Sequence, residues 1–130
     1  MMNPVVHFEM PYRDAERASA FYHQAFGWSL QLLGPEMGHY LLATTATVDC
    51  RSDQPRGAIN GGLYPFKPDW PMQYPSIVIA VEDIPAAMQR IVTAGGKVLG
   101  EPMPIPNVGA FVSFIDTEGN RNTIFKPLAV

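Results

Sequence analysis

His7 and Glu9 stand two residues apart in "VVHFEM", close to the start of the chain. An imidazole near its ordinary pKa transfers protons at neutral pH, and a neighbouring carboxylate raises that pKa and fixes the tautomer. Residues i and i+2 of a strand share a face. The pair therefore points one way, and Val6, Phe8 and Met10 point the other. That spacing makes His7 and Glu9 a candidate catalytic or ligand-orienting pair. The plainer alternative is a polar histidine lining a cavity, hydrogen-bonded to Glu9, to water or to a hydroxyl. His23 falls within a helical pattern and is expected to be exposed, and His39 joins a site only through an unexpected path of the chain. Cys50 is the sole cysteine, so an internal disulfide is excluded. A thiol nucleophile needs a base or cation beside it. Arg51 is adjacent but points away if the strand continues, so Cys50 reads as structural or incidental.

The elements that position these residues occur twice. Asp14 and Asp83 lie 69 residues apart, and the same offset brings Ala18 onto Ala87, Ala25 onto Ala94, Gly27 onto Gly96 and Leu30 onto Leu99. Each half reads as a strand, a helix and further strands. The first helix is expected from about Asp14, a good N-cap, to Phe26, with Ala18, Phe21, Tyr22, Ala25 and Phe26 on its apolar face and Gly27 ending it. The second is expected from Asp83 to Ala94, with Pro85 tolerated in the first turn. Its stripe is Ile84, Ala87, Met88, Ile91 and Val92, and Gly95 and Gly96 stop it. Strands follow at "WSLQLLG", "HYLLATTATV" and "GAINGGLY" in the first half. In the second half they follow at "KVLGE", "GAFVSFID" and "RNTIFKP", the last two joined by a "DTEGN" hairpin. "GAINGG" lacks the lysine and helix of a phosphate loop, so its glycines read as close packing or a bulge. The four prolines of "PFKPDWPMQYP" preclude a helix or a central strand. The chain thus reads as one domain over residues 1–130, with a first module at about 4–64, a stiff linker at 65–75 and a second module at about 76–127.

Composition excludes several classes of function. A chain of 130 residues with 47% apolar residues supports a real core. The net charge of −3 and the absence of a basic run argue against a nucleic-acid partner. No apolar run approaches the roughly 20 residues of a membrane span. The N-terminus lacks the layout of a signal peptide, which makes the cytoplasm the expected location.

"HFEMPYRDAERASAFYHQAFGW", "SIVIAVEDIPAAMQRIVTAGGKV" and the "DTEGN" hairpin carry a resemblance over essentially the whole chain. The sequence resembles the vicinal oxygen chelate superfamily, which holds glyoxalase I, bleomycin-resistance proteins, extradiol dioxygenases and fosfomycin-resistance enzymes. It is most similar to the glyoxalase-related branch. The resemblance implies an α+β fold of two tandem βαβββ modules, whose curved mixed sheets surround a concave pocket with the helices outside. It also implies a homodimer. In members with metal, His or Glu side chains from four strands hold the ion, which acts as a Lewis acid on a chelated substrate.

Carried onto this chain, the four ligand positions are His7, Gly62, Ser76 and Thr123. One of these four is a good ligand, whereas such a site takes about three protein ligands. Glu9 beside His7 offers only a weak two-ligand alternative. No tightly bound metal and no other cofactor is therefore expected. Ser76 and Thr123 are then pocket-lining candidates for substrate binding. Phe111 and Ser113 join them from a strand that alternates with Ala110, Val112 and Phe114, and either set could face the cavity. Trp70 and Met72, with Tyr74, come from the linker as a lid or dimer contact.

Two functions remain open. One is a glyoxalase-like enzyme, of the lyase, isomerase or dioxygenase-related kind, that acts on a small oxygenated or thiol-conjugated metabolite through His7 and Glu9. The other is a non-catalytic protein that sequesters a ligand. Classical lactoylglutathione lyase chemistry is disfavoured because it leans on the metal.

Overall fold

Asp14 and Asp83 start the two helices in the same way. Each has extended backbone, and each carboxylate accepts from the amide three residues on, Arg17 at 3.0 Å and Ala86 at 2.9 Å. These contacts satisfy amides that the first turn leaves without partners. Helix α1 spans Ala15–Phe26 and α2 spans Ile84–Thr93. Gly27 ends α1 at φ 74°, where its amide reaches the carbonyls of Tyr22 and His23.

The structure, a computed structural model, describes residues 2–46 and 58–128. Cys50 and Arg51, the end of the "HYLLATTATV" strand reading and the first residue of "GAINGGLY" lie outside the described residues. The strands are β1 (Val5–Tyr12), β2 (Ser29–Leu32), β3 (Leu41–Thr44) and β4 (Gly61–Pro65), then β5 (Ser76–Ala80), β6 (Lys97–Ile105), β7 (Gly109–Ile115) and β8 (Arg121–Pro127). The fold is α+β, with the βαβββ order running twice.

The chain divides into two compact units. The first comprises His7–Pro75, and the second comprises Ser76–Val130 together with the N-terminal residues through Val6. In the first, the strand order is β2-β3-β4-β1, with β1 and β4 parallel and the other pairs antiparallel. In the second it is β5-β8-β7-β6, with β5 and β8 parallel. There the Pro4 carbonyl also accepts from the Ala80 amide at 2.9 Å. The "DTEGN" turn closes as the sequence suggests. One oxygen of Asp116 accepts from the amides of Glu118 (2.8 Å) and Asn120 (2.9 Å).

Strand alternation gives each unit one helix-side face. In the first unit Leu41, Ala43 and Leu63 are fully buried, against Phe8, Met10, Tyr12, Ala18, Tyr22, Trp28 and Leu30. Tyr22 stacks on Trp28 with ring centroids 4.7 Å apart. In the second unit Val81, Ile84, Ala87, Val112, Phe114 and Ile124 form the core.

Two expected helix faces are narrower than the sequence pattern. On α1, Phe21 (56%), Phe26 (64%) and Ala25 are exposed, and Ala18 and Tyr22 alone of the stripe reach the core. The two phenylalanines sit at its flank and end, where they meet each other and Tyr22 edge-on or tilted. On α2, Val92 is 54% exposed, because the neighbouring Ile91 already fills the contact with the sheet. Among the described residues no helix is long and apolar enough to cross a membrane.

Candidate functional site

Phe8 and Met10 belong to the first unit's core, so alternation along β1 sends His7 and Glu9 to the opposite face. Between them sits a residue that the sequence analysis did not single out. The Tyr40 hydroxyl donates to Glu9 Oε2 at 2.7 Å and lies 2.9 Å from His7 Nε2. A phenol has one proton to donate. With that proton on the carboxylate, the His7 contact is made by Nε2–H donating to the phenol oxygen. The imidazole is thereby held as the Nε2–H tautomer, with its lone pair on Nδ1.

Burial outweighs the nearby carboxylate at His7, where the sequence analysis expected Glu9 to raise the pKa, and acts together with charge at Tyr40. Burial holds the His7 pKa below its ordinary 6.5, which favours the neutral ring. Burial, the charge of Glu9, the hydrogen bond to it and nearby Tyr64 all push the Tyr40 phenol pKa up. Tyr40 therefore stays protonated and acts as a neutral bridge.

The chain places Tyr40 by its backbone. Its amide donates to the Met37 carbonyl at 3.3 Å, and its carbonyl accepts from Leu33 at 2.8 Å. His39, just before it, has φ 55° and is tied by the Tyr12 hydroxyl, which donates to its carbonyl at 2.7 Å. The ring then lies over Gly62. A Cβ at position 62 would overlap the Tyr40 ring, and one at Gly61 would overlap the Phe8 ring on the helix side. The two adjacent glycines thus admit one aromatic ring on each face of β4, the close packing that the "GAINGG" run suggested.

The other candidates divide between the units. In the first, Gly62 pairs with Glu9 across β1 and β4. Trp70 lies 6.3 Å from Tyr64, ring to ring, and Met72 is partly buried at φ 52°. The stretch that carries Trp70 and Met72 is fastened by Gln73, a buried side chain that bonds the Lys67 amide, the Lys67 carbonyl and the Trp70 carbonyl. In the second unit, Val112 and Phe114 take the helix side of β7, which leaves Phe111 and Ser113 on the other face. Ser113 and Thr123 are buried with their hydroxyls 3.2 Å apart, and Arg121 Nη2 reaches Ser113 at 3.4 Å. Ser76 begins β5, partly buried. His23 is exposed on α1, where its Nδ1 lies 3.0 Å from the Trp28 carbonyl, and His39 is exposed.

The sequence model of the Glyoxalase/Bleomycin resistance protein/Dioxygenase superfamily matches residues 5–124. The chain belongs to this superfamily. A glyoxylase-like domain-containing protein of Didymella fabae is 31% identical over 119 residues, which is 89% of this chain and 88% of that protein. Among solved structures, Streptomyces coelicolor methylmalonyl-CoA epimerase with 2-nitronate-propionyl-CoA superposes with a TM-score of 0.70 at 18% identity, covering 99% of this chain and 100% of its own. Methylmalonyl-CoA epimerase of Mycobacterium tuberculosis gives 0.67 at 16% identity, covering 96% and 88%. At those identities the two structures establish the shared fold.

The superfamily implies a divalent cation at His7, Gly62, Ser76 and Thr123. The residues present do not fit one. The set supplies one imidazole, no side chain at Gly62 and two neutral hydroxyls, of which Thr123 is engaged with Ser113. Tyr40 fills the space over Gly62, and both His7 and Glu9 are turned to its hydroxyl. Among the described residues, no three His, Cys, Asp or Glu side chains gather in a metal-holding group.

Tyr40 and Gln73 were missed because each gains its role from residues far along the chain. A signal for Tyr40 did exist. It precedes Leu41, which pairs with Leu63, so it falls diagonal to Gly62, where a neighbouring aromatic covers a bare strand position.

Proposed function

We propose that this chain binds a small oxygenated or thiol-conjugated metabolite on the face of the first unit that carries His7, and moves a proton on it without a tightly held metal. His7 is the base. Its Nδ1 takes a proton from a carbon next to the substrate carbonyl, and the electron pair moves onto the carbonyl as an enolate. The imidazolium formed keeps its Nε2–H on the Tyr40 oxygen, while the phenol proton stays directed at the Glu9 carboxylate. The negative charge of Glu9 thus supports the positive ring across one neutral bridge. Returning the proton to the same or a neighbouring carbon completes an isomerase-type step. The Tyr40 hydroxyl set between His7 and Glu9 is the observation that carries this reading. Superfamily membership supports the reaction class. We also place the protein in the cytoplasm as a homodimer, a reading supported by its single cysteine and by the exposed Phe21 and Phe26.

The test is hydrogen–deuterium exchange in D2O, followed by proton NMR on a panel of 2-oxo acids, hemithioacetals and acyl-CoA thioesters. The reading expects exchange next to the carbonyl of at least one class, lost in His7→Ala. Exchange that survives this substitution removes His7 as the base.

A second reading, ligand sequestration, is favoured by the aromatic side chains of Tyr64 and Trp70, which meet ring to ring, with Tyr40 near Tyr64. Under it, a panel member raises the melting temperature in a concentration-dependent way with no exchange in the parent protein or in His7→Ala.

A further inference from the structure

Arg13 follows β1 directly and Phe66 follows β4, at the end of this parallel pair. The Phe66 amide donates to the Tyr12 carbonyl at 2.9 Å, which carries the pairing past Pro65. There the Arg13 Cζ lies 3.9 Å from the centroid of the Phe66 ring. Tyr12, Arg13, Pro65 and Phe66 line a cleft of about 260 Å3.

The platform under the cation is fixed on both sides. The Phe66 amide is tied to β1, and the next amide, that of Lys67, donates to Gln73 Oε1 at 2.7 Å. An aromatic face attracts a guanidinium through its quadrupole and offers no acceptor oxygen. The guanidinium has five N–H donors. Among the described residues it makes no ion pair and no hydrogen bond. Asp14, beside it in the chain, is turned to α1, where its Oδ1 accepts from the Arg17 amide at 3.0 Å. The Tyr12 hydroxyl donates to the His39 carbonyl, so its side chain serves the cleft as a wall. An anchored cation with unused donors thus borders a cleft that has apolar walls.

We infer that Arg13, held on Phe66, is a recognition site for an oxyanion, a carboxylate or a phosphate monoester, whose attached apolar group lies in the cleft. Both anions match the planar fork of a guanidinium, which binds two of their oxygens at once. Tyr12, the last residue of β1, is five residues from His7, roughly 16 Å of strand. The site is therefore separate from the Tyr40 bridge, and the inference goes beyond the proposed proton transfer.

The test is a proton–nitrogen correlation NMR titration of the full chain at fixed ionic strength, with phenylacetate, phenyl phosphate and neutral phenylacetamide as probes. At least one anion is expected to shift the Arg13 Nε–H and the Phe66 amide to saturation, while phenylacetamide does not. The tighter anion identifies which of the two groups the site takes. Arg13→Lys keeps the charge and loses the fork, and is expected to bind that anion at least about fivefold more weakly. Phe66→Leu keeps the charge and removes the platform, and is expected to weaken binding too. Anions that bind no better than phenylacetamide overturn the inference, as does an Arg13→Lys protein that binds like the parent, which reduces the effect to diffuse positive charge. His7→Ala is expected to bind the anion unchanged. This separates the site from the fate of His7 as a base, and loss of binding in His7→Ala places the anion elsewhere and overturns the inference.

Discussion

The two units share a skeleton and differ on the face that carries the candidate chemistry. Both start a helix on an aspartate cap, and both pair their first and last strands in parallel. Both bury a helix-side cluster of aliphatic and aromatic residues. On the opposite face, the first unit joins His7, Tyr40 and Glu9 through one phenol, and the second pairs the Ser113 and Thr123 hydroxyls beside Arg121. One copy holds a titratable pair bridged by a neutral donor. The other holds a hydroxyl pair that changes no charge near neutral pH. Helix-side residues are constrained by volume and apolarity, and a duplicated fold needs those in both copies. Residues of the other face are not needed for the core, so the two copies are free to differ there.

Substitutions in the shared part test the comparison most severely. Leu63→Ala in the first unit and Phe114→Ala in the second each remove a buried core side chain, and each is expected to cost about 3–5 kcal/mol by denaturant unfolding. A loss confined to one of them would show that the cores do not contribute equally. The differing faces come next. Tyr40→Phe withdraws the one hydroxyl that serves both His7 and Glu9, and is expected to cost about 1–3 kcal/mol. Thr123→Val breaks only a hydroxyl–hydroxyl contact and is expected to cost about 1 kcal/mol. Equal costs would erase the distinction drawn between the faces. The caps then test likeness again, since Asp14→Ala and Asp83→Ala are each expected to cost about 1 kcal/mol by the same measurement.

The smallest effect is a pH dependence that belongs to the first unit. The folded-state pKa of His7 is held below 6.5, so the unfolded chain binds the proton more readily. Where the unfolded state carries more protons, stability rises with pH. The His7 contribution is therefore fully present above about pH 6.5 and is lost as the pH falls from there towards the folded pKa. His7→Gln should flatten this part of the stability profile between pH 5 and 7. Ser76→Ala, at the matching place in the second half, should leave it unchanged. A slope that persists in His7→Gln would assign the titration to another group.

The αβ order was legible because its signals are local. An aspartate cap, a glycine stop and an i, i+3, i+4 apolar spacing act within a few residues, and so do the period-two strands and the "DTEGN" turn. The face assignment of His7 and Glu9 was legible for the same reason, since alternation follows from the pleat. The exposure of Phe21, Phe26 and Val92 was not, because a helix pattern shows which side is apolar and not how much of that side the sheet covers. The first unit's network was half legible. Two of its members share a strand, while the third comes from beyond α1 and β2.

The sequence by itself thus determined the duplicated βαβββ plan, the capped helices and the direction in which His7 and Glu9 point. Tertiary structure alone decided that Tyr40 comes between them, that Gly62 is bare because a ring needs its place, and that Gln73 fastens the segment bearing Trp70. The first group depends on backbone geometry between near neighbours, which residue type encodes directly. The second depends on which distant side chains compete for one volume, and only packing the folded chain settles that competition.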